Sequence, residues 1–453
     1  MSADIVNKGD TENLVDCVEL SPPLSPVRLA FAAPGSKSAS VRALLLAALA
    51  GTETTIEGLL ASNDTAAALN VVRQLGAGVQ RNGQLVRVSG TDGQWSSSHH
   101  ILFAGDSATL SRFTSGMLAT SPRQGHWTVA TSTANRRRNS SPLVSTLQRA
   151  GCNVRSLRSP AAFPIEIHGG ANVTGEIHVD HGGSSQFASA ALFAALGGER
   201  PRTVSLPEYW ATDGYVRMTI EAFREFGHRV EVADERLTVC RGSTEKPGYV
   251  RVEPDLSSAA YSAALAVLTG GVVRLKGIPS STQQPDLGFF QALTEFGAQI
   301  TYADSTLTVN GPRRLRGGFT IDMQRMADQA LTVGVLAIFA DAPVSVTGVA
   351  RARGHESDRI SALADCFARM GVRVDVGADS FTVQPTAPRP AKVHSWNDHR
   401  IAMSMSLCAA LVPGIQIIDV ACVAKSYPGF FAMLREAGFT TRHYRQNRGA
   451  ESK

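Results

Sequence analysis

Leu75-Gly76-Ala77-Gly78-Val79 closes an amphipathic helix and opens a short alternating strand. The phrase returns as Ala150-Gly151-Cys152-Asn153-Val154, Phe226-Gly227-His228-Arg229-Val230, Phe296-Gly297-Ala298-Gln299-Ile300 and Met370-Gly371-Val372-Arg373-Val374, and more weakly as Ala437-Gly438-Phe439-Thr440. Its glycines stand 67 to 76 residues apart. A fixed period with one helix stop and one strand pair implies repeated units, in which Gly takes the left-handed position ending each helix. Six copies of an α/β unit are expected. Strands such as Gln84-Leu85-Val86-Arg87-Val88, Arg236-Leu237-Thr238-Val239 and Thr306-Leu307-Thr308-Val309 alternate with period two. The Ala-rich segments 188–196, 259–268, 330–340 and 401–411 are apolar nearly all round, which predicts buried helices. Helices enclosed by sheets fit this pattern better than helices coating one central parallel sheet.

The chain has 453 residues, 43% hydrophobic and 18% charged, enough for two or three domains with full cores. Every apolar run is broken by charge or turn residues before the eighteen or so that a membrane span needs, so a soluble, cytoplasmic protein is expected. Residues 1–26 are polar and lack the basic start and apolar centre of a secretory signal; they read as a flexible extension. The six cysteines are scattered without a Cys-x-x-Cys pair, arguing for a reducing compartment and against a cysteine zinc site. A net charge of +5 is mild, and its basic points are Arg136-Arg137-Arg138 and a tail, residues 441–453, with Arg442, Arg445 and Arg448. Nucleic acid and membrane are poor partners for this balance; small anionic substrates suit it.

Chemistry gathers at the starts of buried helices. Pro34-Gly35-Ser36-Lys37-Ser38-Ala39-Ser40-Val41-Arg42 breaks the chain, supplies a Ser where an N-cap belongs and runs into the helix formers of residues 43–50. The first turn offers free N–H groups, the positive end of the macrodipole, hydroxyls and cations, the makings of an anion site. It is not a P-loop, which places a second Gly directly before the Lys. Gly182-Gly183-Ser184-Ser185-Gln186-Phe187, Asp255-Leu256-Ser257-Ser258-Ala259, Asp328-Gln329-Ala330 and Asn397-Asp398-His399-Arg400 open further helices in the same style. One Ser-Ser before a helix is merely a cap; several such starts point to N-termini converging on one anionic ligand.

In the order of these motifs the chain resembles the 5-enolpyruvylshikimate-3-phosphate (EPSP) synthase family over about Val27 to Ala437. The motifs are Pro34-Gly35-Ser36-Lys37-Ser38 with Ser40 and Arg42, Ser184-Ser185-Gln186-Phe187, Glu356-Ser357-Asp358-Arg359, Asn397-Asp398-His399-Arg400 with Ala402 and Met403, and Lys425-Ser426-Tyr427-Pro428. The resemblance implies two domains of three βαβαββ units each, residues 27–33 with 254–440 forming one and residues 34–253 the other, with the active site in the cleft. It implies a phosphoenolpyruvate set of Lys37, Asp106, Ala108, Arg138, Gln186, Arg359, Arg400 and Lys425. It also implies a shikimate 3-phosphate set of Ser38, Arg42, Ser184, Ser185, Gln186, Thr212, Tyr215, Asp328, Arg351 and His355. Lys37, Asp328, Glu356 and His399 would be catalytic, Asp328 receiving the acceptor's hydroxyl proton and Glu356 exchanging a proton with C3 of phosphoenolpyruvate. No cofactor or metal is required on this likeness, and a monomer is expected.

Five family positions are altered. Asp106-Ser107-Ala108-Thr109 replaces Asn-Ala-Gly-Thr, His355 a Lys, Arg351 an Asn, Ala327 a Pro and Gly429 an Asp. His355 and Arg351 fall where the acceptor's phosphate is expected, so a divergent enzyme for another cyclic polyol and a catalytically silent homologue stand as alternatives. The UDP-sugar enolpyruvyl transferases, which share the fold, place a reactive Cys in the loop corresponding to residues 121–138, which has none here. Ala108 in place of Gly should crowd glyphosate more than phosphoenolpyruvate and make the enzyme glyphosate-tolerant; Asp106 is a complication, since its carboxylate repels both anions unless a cation such as Arg112 neutralises it.

Overall fold

The computed structural model describes residues 14–96, 100–171, 173, 175–180, 184–198, 200–208, 210–242 and 248–447. Residues 1–13, Gly182, Gly183 and Arg448, which the sequence reading used, lie outside them. The helices are α1 Lys37–Leu49, α2 Asn63–Gln74, α3 Ala108–Ala119, α4 Ser141–Arg149, α5 Ser185–Ala195 and α6 Gly214–Glu225. They continue with α7 Leu256–Thr269, α8 Leu287–Ala292, α9 Ala330–Ile338, α10 Arg359–Arg369, α11 His399–Leu407 and α12 Phe430–Glu436. The strands form six four-stranded sheets among the described residues. Two compact units result: one holds the described residues up to Phe31, Ser257–Lys276 and those from Gly288 on; the other holds Ala32–Leu256 and Gly277–Leu287.

One repeat shows the plan. His100–Phe103 pairs in parallel with His126–Ala130 across α3, and after α4 the hairpin Asn153–Ser156 and Ile165–His168 pairs antiparallel, with Ile165–His168 innermost. The sheet order is therefore first, second, fourth, third. All six repeat glycines hold positive φ, 103° at Gly76, 87° at Gly151, 82° at Gly227, 96° at Gly297, 76° at Gly371 and 92° at Gly438, as the period required. At the chain's passages between units the first strands are exchanged. Arg28–Phe31 pairs in parallel with Val272–Lys276, while Tyr249–Arg251 pairs in parallel with Glu53–Glu57.

The sixth repeat corrects the reading of both chain ends. Residues 14–26 are not a loose extension, nor 441–447 a loose tail, because Leu14–Ser21 pairs antiparallel with both Ile415–Ile418 and Thr440–Asn447. The N-terminal strand fills the fourth place of the last sheet, which explains why the sixth phrase lacks its own hairpin. Val15, Cys17, Val18 and Leu20 are buried, while Leu14, Asp16 and the basic partners on the last strand face outward.

In each unit three helices are buried almost all round and the others bury one face. Every residue of α9 and α11 is buried, as are ten residues of α1 and eleven of α3. Helices α3 and α5 approach so closely that a Cβ at Gly116 would lie 2.1 Å from the carbonyl oxygen of Ala190. Gly35 has the same reason: its Cβ would lie 1.9 Å from the oxygen of Gly58, so this motif glycine serves backbone packing.

Val18, fully buried in the N-terminal strand, tests the corrected topology. Val18→Asp buries an unpaired carboxylate and should cost more than about 3 kcal/mol in urea unfolding. An unchanged midpoint would return these residues to a dispensable extension.

Candidate active site

In the unit containing α9 to α11, the starts of three helices carry one ionic chain. Asp398 caps α11, its Oδ1 accepting the Arg400 N–H at 2.9 Å, and its Oδ2 accepts Arg359 Nε at 2.8 Å and Ser357 Oγ at 3.1 Å. Arg359, the first residue of α10, is 1% exposed. Its Nη1 donates to Asp328 Oδ1 at 2.7 Å and its Nη2 to Glu356 Oε2 at 2.8 Å. Arg400 Nη2 donates to the other oxygen of Asp328 at 2.7 Å and to Ser257 Oγ at 3.3 Å. Lys425 Nζ donates to the other oxygen of Glu356 at 2.7 Å. The result is an alternating series, Arg400, Asp328, Arg359, Glu356, Lys425, in which each carboxylate lies between two cations.

Burial disfavours the charge on Asp328, but Arg400 and Arg359 outweigh it and hold the carboxyl far below the usual range. Burial likewise works against Arg359, and Asp398, Glu356 and Asp328 together raise it above its ordinary value. His355 Nδ1 lies 2.8 Å from Arg359 Nη1 and 3.5 Å from Asp328 Oδ1. A guanidinium only donates, so Nδ1 accepts and the ring proton sits on Nε2. The sequence reading grouped His355 with an acceptor phosphate; the structure gives it contacts within the Asp328–Arg359 cluster. Arg351 is half-buried in the 3₁₀ turn Ala350–Gly354 just before it. His399, expected as a catalytic group, is 1% exposed, its Nδ1 3.7 Å from Asp398 Oδ1.

In the other unit, Ser36 caps α1 by accepting the Ala39 N–H at 3.4 Å, and Lys37 Nζ lies 3.7 Å from the buried Asp64. Arg42, expected in the shikimate 3-phosphate set, is held by protein partners. Its side chain is 2% exposed and donates to Thr219 Oγ1 at 2.9 Å, Ser38 O at 2.9 Å, Tyr215 O at 2.8 Å and Ser189 Oγ at 3.5 Å, tying α1 to α5 and α6. Ser184 caps α5, with Ser185 buried in its first turn. Arg112 of α3 donates to Gln186 Oε1 at 2.8 Å and Ser184 Oγ at 3.3 Å, with its guanidinium 4.4 Å from the Phe187 ring. Arg112 therefore serves the start of α5, and it is the Ser132 hydroxyl that binds the exposed Asp106. Ala108, the first residue of α3, is 5% exposed beneath the Ser107 cap. Thr212 is exposed, and Tyr215 Oη lies 3.5 Å from Asp286 behind the Asp213 cap of α6. Arg138 is half-buried after a 3₁₀ turn; Arg136 donates Nε to Thr131 O at 3.1 Å, while Arg137 is exposed.

Sequence reasoning passed over Asp398, Ser257 and Arg112 as site residues. Asp398 was visible as a polar residue before a buried helix, but its second role on Arg359 depends on a residue 39 positions away. The donor set is guanidinium, ammonium, hydroxyl and backbone N–H, which is the chemistry of anion recognition.

The family model for EPSP synthase (3-phosphoshikimate 1-carboxyvinyltransferase) matches residues 23–434. The chain belongs to the EPSP synthase family. It is 36% identical over 433 residues to "3-phosphoshikimate 1-carboxyvinyltransferase 2" of Halalkalibacterium halodurans, covering 95% of this chain and 96% of that protein. The 3-phosphoshikimate 1-carboxyvinyltransferase of Trichormus variabilis is 32% identical, over 90% of this chain and 95% of its own. The EPSP synthase structure from Acinetobacter baumannii superposes with a TM-score of 0.79 at 24% identity, covering 95% of this chain and all of that one. The enolpyruvyl transferase NikO from Streptomyces tendae superposes with a TM-score of 0.76 at 18% identity, covering 95% and 99%. Both confirm the two-domain enolpyruvyl transferase fold. Within this family fold, Ala327 opens the 3₁₀ turn before α9 and Gly429 stands at the N-cap of α12.

Asp328 supplies a pH test of the series. Its folded pKa is depressed, so its ionic contribution to stability is complete above the unfolded value near 3.8 and is lost as pH falls below it. Urea unfolding should show wild type more stable than Asp328→Asn at neutral pH, with the gap closing progressively below about pH 4. A gap independent of pH would show that Asp328 contributes by packing alone.

Proposed function

We infer that this protein transfers the enolpyruvyl group of phosphoenolpyruvate to the 5-hydroxyl of shikimate 3-phosphate, releasing inorganic phosphate, in the shikimate pathway of aromatic amino acid biosynthesis. The observation that carries the mechanism is the alternating series, in which Arg400 and Lys425 each spend a cation on a carboxylate. A carboxylate held by two cations is a poor base. When the anionic groups of phosphoenolpyruvate take Arg400 and Lys425, Asp328 and Glu356 each lose a counter-charge and their proton affinities rise. Glu356, released from Lys425, takes up a proton from solvent and delivers it to C3, while Asp328 accepts the proton of the acceptor hydroxyl as that oxygen bonds to C2. In the second step Glu356 takes a proton back from C3, the C2–O bond to phosphate breaks, the departing phosphate takes up the proton held by Asp328, and Lys37, Arg400 and Lys425 offset the remaining charge on it. Arg359 stays on Asp398 throughout and keeps both carboxylates in register. Ser38, Ser184, Ser185, Gln186, Thr212 and Tyr215 serve the acceptor, with Arg42 and Arg112 positioning the helix starts that carry several of them.

Phosphate release should occur only when donor and acceptor are both present. Lys425→Met should lower turnover about a hundredfold or more with the fold intact, since it removes charge stabilisation and the release of Glu356 together. Turnover near wild type in that variant would sink the coupling, and no phosphate release with both substrates would sink the activity.

The buried methyl of Ala108 at the start of α3 supports glyphosate tolerance, because it narrows an N-terminal anion position where the family commonly has Gly. Overpacking that falls on the longer inhibitor costs roughly 1–3 kcal/mol. Ala108→Gly should become about tenfold or more sensitive to glyphosate with the phosphoenolpyruvate constant little changed. Equal sensitivity in the two proteins would remove Ala108 from the donor site.

A further inference from the structure

We propose that the outer face of the sheet containing His126–Ala130 and Ile165–His168 binds one divalent transition-metal ion through His126, His168 and Glu166. The two strands are antiparallel with His126 directly opposite His168 and Thr128 opposite Glu166. Trp127 and Ile167, fully buried, point into the core, so the alternation of the strands sends His126, Glu166 and His168 together to the other face. One donor atom from each lies within 4.8 Å of the others. His126 Nε2 is 3.0 Å from Glu166 Oε1, and the two imidazoles stack with centroids 4.3 Å apart at 13°.

A tetrahedral ion with bonds of about 2.0–2.1 Å brings its donors to about 3.4 Å from one another. The present spacing reaches this by a splay of the stacked rings and a small swing of the Glu166 carboxylate. The neighbouring strand supplies the orienting partner: Arg155, opposite Glu166, donates to Oε2 at 3.1 Å from Nε and 2.7 Å from Nη2. That leaves Oε1 turned to the histidines, the arrangement in which an outer hydrogen bond fixes a ligating carboxylate. The strand ends are themselves fixed. Gly169 N donates to Gly125 O at 2.9 Å, Gly170 N to Ser121 O at 2.8 Å and Trp127 Nε1 to Ser96 O at 2.9 Å.

Two imidazoles and one carboxylate suit Zn²⁺, with Co²⁺ as a spectroscopic stand-in and Cu²⁺ binding more tightly by the general order of affinities. The fourth position is left to water. The ion takes no part in enolpyruvyl transfer; it clamps two strands of one sheet.

Isothermal titration of tag-free, full-length protein with Zn²⁺ at pH 7.5 should give one saturable site per chain, and the Co²⁺ form should show the visible bands of tetrahedral cobalt. His126→Gln, Glu166→Gln and His168→Gln should each weaken Zn²⁺ at least tenfold, whereas His443→Gln on the last strand should not. Zn²⁺ should also raise the melting temperature of wild type and leave His168→Gln unmoved. If a variant fails to fold, X-ray absorption of the zinc-loaded wild type decides, since a shell of two imidazoles with a carboxylate is expected and a thiolate or water-only shell overturns the proposal. Absence of saturable binding, or equal binding by wild type and the three variants, overturns it as well.

Discussion

The ion pair between Arg359 and Asp398 is the contact on which the ionic cluster of α9 to α11 rests. Both side chains are essentially sealed from water, at 1% and 0% exposure, where charges are costly unless every donor and acceptor is met. Such a pair contributes little net stability compared with an apolar replacement, but removing one partner strands the other. Its value is positional. Asp398 spends one oxygen on capping α11 and the other on Arg359 and Ser357, so the starts of α10 and α11 are locked to each other. Only a planar fork with five donors can then reach Asp328, Glu356 and His355 from one buried anchor; a lysine would reach one.

From that anchor the electrostatics of the cluster follow. Three cations and three carboxylates alternate, so the cluster is internally neutralised and each carboxylate held between two cations is a weak base. Bringing in an anionic substrate costs less here than at an all-cation site would suggest, because the cations exchange one oxyanion for another. In the proposed reaction the same exchange ties the proton affinity of Asp328 and Glu356 to donor occupancy. His355 belongs to this balance: accepting from Arg359, it adds a neutral group where a lysine would add a fourth cation.

The legible parts of the molecule were those written in local chemistry. Six left-handed glycines at the repeat period, buried Ala-rich helices and the capped starts of α1, α5 and α11 each follow from neighbouring residues, and the structure has them. What was not legible depends on partners distant in the chain. Leu14–Ser21 reads as polar because Asp16 and Glu19 show on its outward face, while Val15, Cys17 and Leu20 gain meaning only from a strand more than 390 residues on. Arg42 carries the composition of an anion ligand, yet Thr219 and the carbonyl of Tyr215 claim it from the far side of the sequence. Arg112 was named for Asp106 by proximity in sequence, and Gln186 won by geometry.

The two exchanged strands and the late-completed sixth sheet impose an order on assembly. The unit built on α1 to α6 draws its sheets from residues 53–251, so a growing chain can close it once Tyr249–Arg251 joins Glu53–Glu57. The other unit opens with Leu14–Ser21 and Arg28–Phe31, whose partners arrive only with Val272–Lys276, Ile415–Ile418 and Thr440–Asn447. These N-terminal strands are made first and paired last, and such edges invite wrong pairing while they wait. Asp16, Glu19 and Arg28, spaced along them, place charge on that waiting edge, and the later pairing of Arg445 with Asp16 at 2.8 Å shows one of those charges reused in the finished sheet. The polar look that disguised the strand in the sequence is thus what lets it remain unpaired until its sheet exists.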